Sequence, residues 1–243
     1  GLESQSIGFA SNAIGGASLA AGDFSTAVGH KAQATAVSTL AAGQGATASG
    51  GQSTAVGLDS KSTGYASNAI GTTSLAAGYS STAVGSGARA EKALDLAVGH
   101  KANASGGQST AVGLDSQSKG ETSIAIGTTS LAAGYSSTAV GSGARAEKAL
   151  DLAVGHKANA SGGQSTAVGL DSQSKGEASN AIGNSSLAEG YASTAVGYGA
   201  HAEKALDLAA GFNAIASGSE STAVGFKSQS TGFASNAIGN SSV

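Results

Sequence analysis

The chain predicts an all-β fold: a parallel β-roll, or solenoid, of 14-residue turns with two short strands in each turn. Three observations carry this. A tetrapeptide of the form x-Ala-(Ile/Val/Ala)-Gly ends at Gly15, Gly29, Gly43, Gly57, Gly71 and onward to Gly239, seventeen copies without insertion or deletion. Within each copy apolar and polar residues alternate with period two, the pattern of strands. The composition is that of a thin interior: 39 glycines, 4% aromatic residues, and an apolar fraction of 40% made largely of alanine. An ordinary globular core draws most of its stabilisation from large side chains, which are scarce here.

The spacing comes first, because a fixed repeat means one closed structural turn per copy, and a single extra residue would disturb every later turn. Each turn supplies two strand segments. In Ser11-Asn12-Ala13-Ile14-Gly15, the position of Ala13 is Ala in all seventeen copies and that of Ser11 is Ser in thirteen. In Ser18-Leu19-Ala20-Ala21-Gly22, the positions of Ser18 and Ala20 are Ala or Ser throughout. These small rows face each other across an interior too narrow for larger side chains. Glycines such as Gly15 and Gly22 close the corners, where positive φ or close backbone approach is needed. The position of Leu19 varies among Leu, Gln, Thr, Lys, Arg, Asn, His and Ile and faces outward.

The alternation also places an aliphatic row outside the roll: Ile14, Val28, Val56, Ile70, Val84, Val98, Val112, Ile126, Val140, Val154, Val168, Ile182, Val196, Val224 and Ile238. Seventeen strands at about 4.8 Å would make a rod of roughly 80 Å. An apolar stripe of that length exceeds the few hundred Å² that single chains leave in water, so it predicts a homo-oligomer with its axis along the rod. These fifteen residues are the expected oligomer interface.

A longer period of 56 residues, four turns, is superimposed: residues 99–154 and 155–210 agree at 47 of 56 positions. One turn in each later block carries a charged rib. Lys92, Lys148 and Lys204 replace the second corner glycine, and Asp95, Asp151 and Asp207 stand where Ser normally faces inward. Arg89/Glu91, Arg145/Glu147 and His201/Glu203 accompany them, whereas the first block has Gln33, Thr35, Ala36 and Thr39. An inward carboxylate without a partner is costly. Each Lys is therefore expected to fold over its own turn and pair with its Asp, or with the Asp of a neighbouring chain. The segment Ala88–Leu96 has good helix propensity, yet the 14-residue phase runs through it and Leu94, Leu96 and Val98 alternate. It is expected to form strand.

Several classes are excluded. The formal net charge is −3, with no basic patch for a phosphate backbone. No apolar run of about 18 residues could span a membrane as a helix, so this segment is not expected to be membrane-embedded. With no Cys there are neither disulfides nor thiolate metal sites. His30, His100 and His156, each followed by Lys, read as exposed turn residues, since His100 and His156 lie four turns, roughly 19 Å, apart. Neither a catalytic constellation nor a phosphate-binding loop occurs, so no enzyme activity, metal or cofactor is expected. A left-handed hexapeptide helix needs a six-residue period, calcium-binding rolls need Gly-Gly-x-Gly-x-Asp runs, and an ice-binding row needs Thr at every turn. In this chain Thr26, Thr54, Thr82 and Thr110 recur only at every second turn.

The serial x-Ala-Ile/Val-Gly-x-x-Ser/Ala-x-Ala/Ser motif resembles the head domain of trimeric autotransporter adhesins, the YadA-type head, over all seventeen turns. The resemblance implies a left-handed roll and a homotrimer. It also implies adhesion at the outer-membrane surface of a Gram-negative bacterium, as a virulence factor, with host extracellular matrix proteins or cell-surface receptors as partners. Residues 1–243 are then one head domain of about 17 turns. They read as a segment of a longer protein whose stalk and barrel anchor lie elsewhere. A passive spacer that projects a binding tip is the alternative use.

Overall fold

A computed structural model describes residues 1–243. The chain divides into two compact units, Gly1–Thr122 and Ser123–Val243, and each is built in the same way. In both, a two-residue strand alternates with a three-residue strand, as in Leu75–Ala76 followed by Thr82–Val84, or Leu187–Ala188 followed by Thr194–Val196. Within each unit the strands pair in parallel with those 14 residues away. Leu75 faces Lys61 on one side and Arg89 on the other, and Ala83 lies between Ala69 and Ala97. The fold is thus a parallel β-solenoid of 14-residue turns, with one sheet of two-residue strands and one of three-residue strands. The helix-prone stretch is strand at Arg89–Ala90 and Leu96–Val98, as the unbroken phase requires.

The interior contains what the small rows predict. Ala76, Ala83, Ala90 and Ala97 in one unit, and Ala188, Ala195, Ala202 and Ala209 in the other, are 0% exposed. Serines fill the remaining inward places. Where both facing residues are Ser they bond to each other, as in Ser62 Oγ to Ser67 Oγ at 2.6 Å and Ser174 Oγ to Ser179 Oγ at 2.6 Å. Small side chains bring the two sheets together, and the backbone hydrogen bonds of each turn are then answered by the next: Leu75 N–H donates to Ala88 O at 2.8 Å and Ala77 N–H to Ala90 O at 2.8 Å.

The corners refine the expected role of glycine. Gly15 and its equivalents do take positive φ, +127° at Gly15 itself. The second corner glycine does not. At Gly78 the requirement is contact: an added Cβ would lie 1.9 Å from the Lys92 carbonyl oxygen of the next turn. The left-handed backbone at this second corner falls two residues later, on Phe24, Ser38, Ser80 and even Leu94 at +61°. Non-glycine residues seldom adopt that region, and here the stacked turns impose it.

Candidate interaction surface

On the sheet of three-residue strands, the Ile/Val column emerges from the outer face. Ile14 is 60% exposed at the end of the stack, while Val56, Val84, Val98, Val112, Val140, Val154, Val168 and Val224 are half-buried by their neighbours in the column. Ile70, Ile126, Ile182, Val28, Val196 and Ile238 are more exposed. Beside this column runs a second outward one in which Leu40, Leu96, Ile124, Leu152 and Leu208 alternate with Thr, so the face is apolar in patches two residues wide. The Ala13 and Ser11 rows point the other way, and both orientations follow from period-two alternation.

The charged ribs differ from the expectation. Asp95 is indeed inward, at 1% exposure. Its carboxylate is held by the main chain, however, and not by the Lys92 ammonium. Lys92 N–H donates to Oδ2 at 2.8 Å, while Gly107 N–H (2.9 Å), Ser109 N–H (3.0 Å) and Ser109 Oγ–H (2.7 Å) donate to Oδ1. Asp151 repeats this arrangement with Lys148, Gly163 and Ser165. Asp207 keeps Lys204 N–H and both donors of Ser221. Lys–Asp side-chain pairing is therefore replaced by N–H and O–H donors, and burial also closes the carboxylate to a cation from another chain. The physical reason is reach. Lys92 has a Cβ where the corner normally has none, so its side chain runs outward over the next turn, with Cδ about 3.8 Å from the Cβ direction of Gly107. Gly107 yields by adopting φ +90°, which brings its N–H to the carboxylate.

The outer face of the other sheet carries the polar chemistry. Arg89 and Glu91 pair at 2.8 Å, as do Arg145 and Glu147. In the last block, Ala133 is replaced by Glu189 and Arg145 by His201. Glu189 then bridges Lys175 at 3.0 Å and His201 Nε2 at 3.1 Å, and Glu203 lies 3.5 Å from His201 Nδ1. The Lys175 hydrogen bond, followed by that of His201, holds the Glu189 carboxyl below the usual carboxylate range. Leu19 and Leu75 each floor a shallow open recess in this sheet. His30 and His100 are exposed at corners.

Sequence reasoning did not single out the aromatic corners. Tyr198, Phe212 and Phe226 stack with ring centroids 5.1 and 5.3 Å apart, and Lys227 Nζ lies 5.2 Å from the Phe226 ring. Tyr65 and Tyr79 stack at 5.8 Å. Their 14-residue spacing was the available signal, since residues so spaced sit one above another.

Residues 7–32, 34–60, 90–116, 118–144, 146–172, 174–200 and 202–228 match the YadA head domain repeat, described as two copies. The chain belongs to the YadA head family. It is also similar to the crystal structure of the collagen-binding domain of the Yersinia adhesin YadA. That domain is 27% identical, with 70% of this chain and 71% of that one covered, at a TM-score of 0.40. No curated protein matches.

Proposed function

We propose that residues 1–243 form the ligand-displaying head of a homotrimeric bacterial surface adhesin, which contacts host extracellular matrix proteins or cell-surface receptors. Membership of the YadA head family is the observation that carries this reading. The two faces of the roll support it. One sheet presents the Ile/Val column, which needs a partner of equal length, and the copies of the chain itself meet that need. The other presents Arg, Glu, Lys, Gln and Ser, a surface suited to weak contacts repeated along an assembly and summed by avidity. Analytical ultracentrifugation tests the assembly: three times 22.7 kDa is expected, and a stable monomer would overturn it. Binding of the assembled protein to immobilised collagen, fibronectin and laminin tests the adhesive role, and absence of binding to all three at high micromolar concentration would reject it. The near identity of residues 99–154 and 155–210 favours a second reading, a rigid spacer. A specific site requires a block that differs from its neighbours.

A further inference from the structure

The blocks differ in several places, and one of them is the recess on the sheet of two-residue strands. In residues 1–122 an open recess of about 430 Å³ is lined by Asp59, Lys61, Thr73, Ser74, Leu75 and Arg89. Another, of about 310 Å³, is lined by Glu3, Gln5, Ala17, Ser18, Leu19 and Gln33. Residue by residue, the second is the first moved back by one 56-residue block. Both have a half-buried Leu as floor, a serine 1% exposed beneath it, and an acid at the corner. They differ in their flanks. Leu19 lies between Gln5 and Gln33, and Leu75 lies between Lys61 and Arg89.

We propose that the Leu75 recess is a binding subsite for an extended protein segment that carries an aliphatic side chain between two carboxylates. Parallel pairing places Lys61 and Arg89 one strand to either side of Leu75, about 10 Å apart at the usual strand spacing. The volume lies in the range of small-ligand sites. Lys61 is exposed and makes no salt bridge, while Arg89 gives Nε and one terminal nitrogen to a single oxygen of Glu91 and keeps its other terminal nitrogen free. Two cations with an apolar floor between them complement acid, apolar residue and acid in an extended chain. Asp59 and Glu91 at the rim repel a dense polyanion, which favours a peptide over a sulfated glycan. The recess is on the sheet opposite the Ile/Val column, so it stays open in the proposed assembly. Its use in adhesion rests on the reading above; its chemistry does not.

The test is a titration of the assembled protein, with leucine methyls ¹³C-labelled, by the peptide acetyl-Glu-Ser-Leu-Ser-Glu-amide, observed by NMR. Saturable shifts are expected at the Leu75 methyls and none at Leu19. Lys61→Gln/Arg89→Gln, which reproduces the flanks that the chain itself uses around Leu19, should weaken binding at least fivefold. Gln5→Lys/Gln33→Arg should create binding at Leu19. Equal shifts at both leucines, shifts indifferent to the double variant, or no saturable shift would each overturn the proposal. So would a heparin-derived hexasaccharide that moves Leu75 when the peptide does not, which would make the site an anionic-glycan site. Loss of matrix-protein binding with peptide binding retained would reject the adhesive role and leave the subsite standing.

Discussion

Residues 36–53 and 92–109 occupy the same place in successive four-turn blocks, yet a hydroxyl closes the first and a carboxylate the second. Thr39 donates within its own turn, to Ala36 O at 2.7 Å, and Ser53 beyond it bonds Ser62 O at 3.3 Å. Asp95 cannot donate. It accepts from its own turn at Lys92 and from the following turn at Gly107 and Ser109. Gly51 in the first region has ordinary φ, whereas Gly107 in the second is at +90°. A hydroxyl can satisfy itself locally; an ionised carboxylate, being acceptor-only, must recruit donors. The charged rib is therefore a tie between two turns and not an ornament on one.

The largest expected effect breaks that tie. Asp95→Ala would leave the N–H groups of Lys92, Gly107 and Ser109 without their acceptor and the Ser109 hydroxyl with only Ser118 O at 3.4 Å, and should cost about 3–5 kcal/mol. Thr39→Ala, which loses one hydrogen bond, should cost about 1 kcal/mol. Because long repeat arrays do not unfold in two states, amide hydrogen exchange at Ser109 and Ser53 is the appropriate reading alongside the denaturant midpoint. Equal losses would show that the two regions are equivalent after all.

Gly107→Ala comes next. A side chain at φ +90° should cost about 1–3 kcal/mol. Gly51→Ala meets only the Tyr65 ring, 3.2 Å from the new Cβ, and should cost less than half as much if that ring moves aside. The thermal midpoints of the two variants compare them directly.

Ser81, in the turn before Asp95, sharpens the contrast from the other side. Its hydroxyl is buried without a partner, as are those of Ser25, Ser137 and Ser193. Ser81→Ala should be neutral or stabilising by up to about 1 kcal/mol, while Ser109→Ala, which removes a donor to Asp95, should destabilise. Chemical denaturation of both separates a hydroxyl that Asp95 uses from one that it does not.

The smallest effect is electrostatic. The Glu189 carboxyl is held low by Lys175 and His201, so its stabilisation is present above the unfolded-state pKa and is lost as pH falls through the folded-state value. Exposure limits this to a few tenths of a kcal/mol. Glu189→Gln should remove it, and a pH series of melting temperatures on both proteins should show the difference near neutral pH and its disappearance on the acid side.

The repeat made most of the architecture legible. Ala13 and Ile14 sit on adjacent residues, and period two alone assigns one to the interior and the other to the outside. The residues held by Asp95 were not legible in the same way. Sequence marks Lys92 and Asp95 as a set because they vary together, and opposite charge suggests an ion pair. The actual partners are the Ser109 hydroxyl and three main-chain N–H groups, and the latter carry no sequence signature beyond the second glycine of Gly106-Gly107. Leu94 at positive φ was equally hidden, since stacking, and not propensity, places it there.

The tie across two turns has a consequence for where the repeat can gain or lose a turn. Deleting residues 96–109 would bring Ser123 into the place of Ser109 and Glu121 into that of Gly107, so the acid would keep a serine and lose the glycine at φ +90°. Adding or removing 56 residues keeps each acid with its companion turn. A turn gained or lost at any other place leaves the tie intact, so the constraint falls on one junction in each of the later blocks. The buried aspartate is in this sense a register pin, which fixes the order of two turns and leaves the rest of the block free to vary.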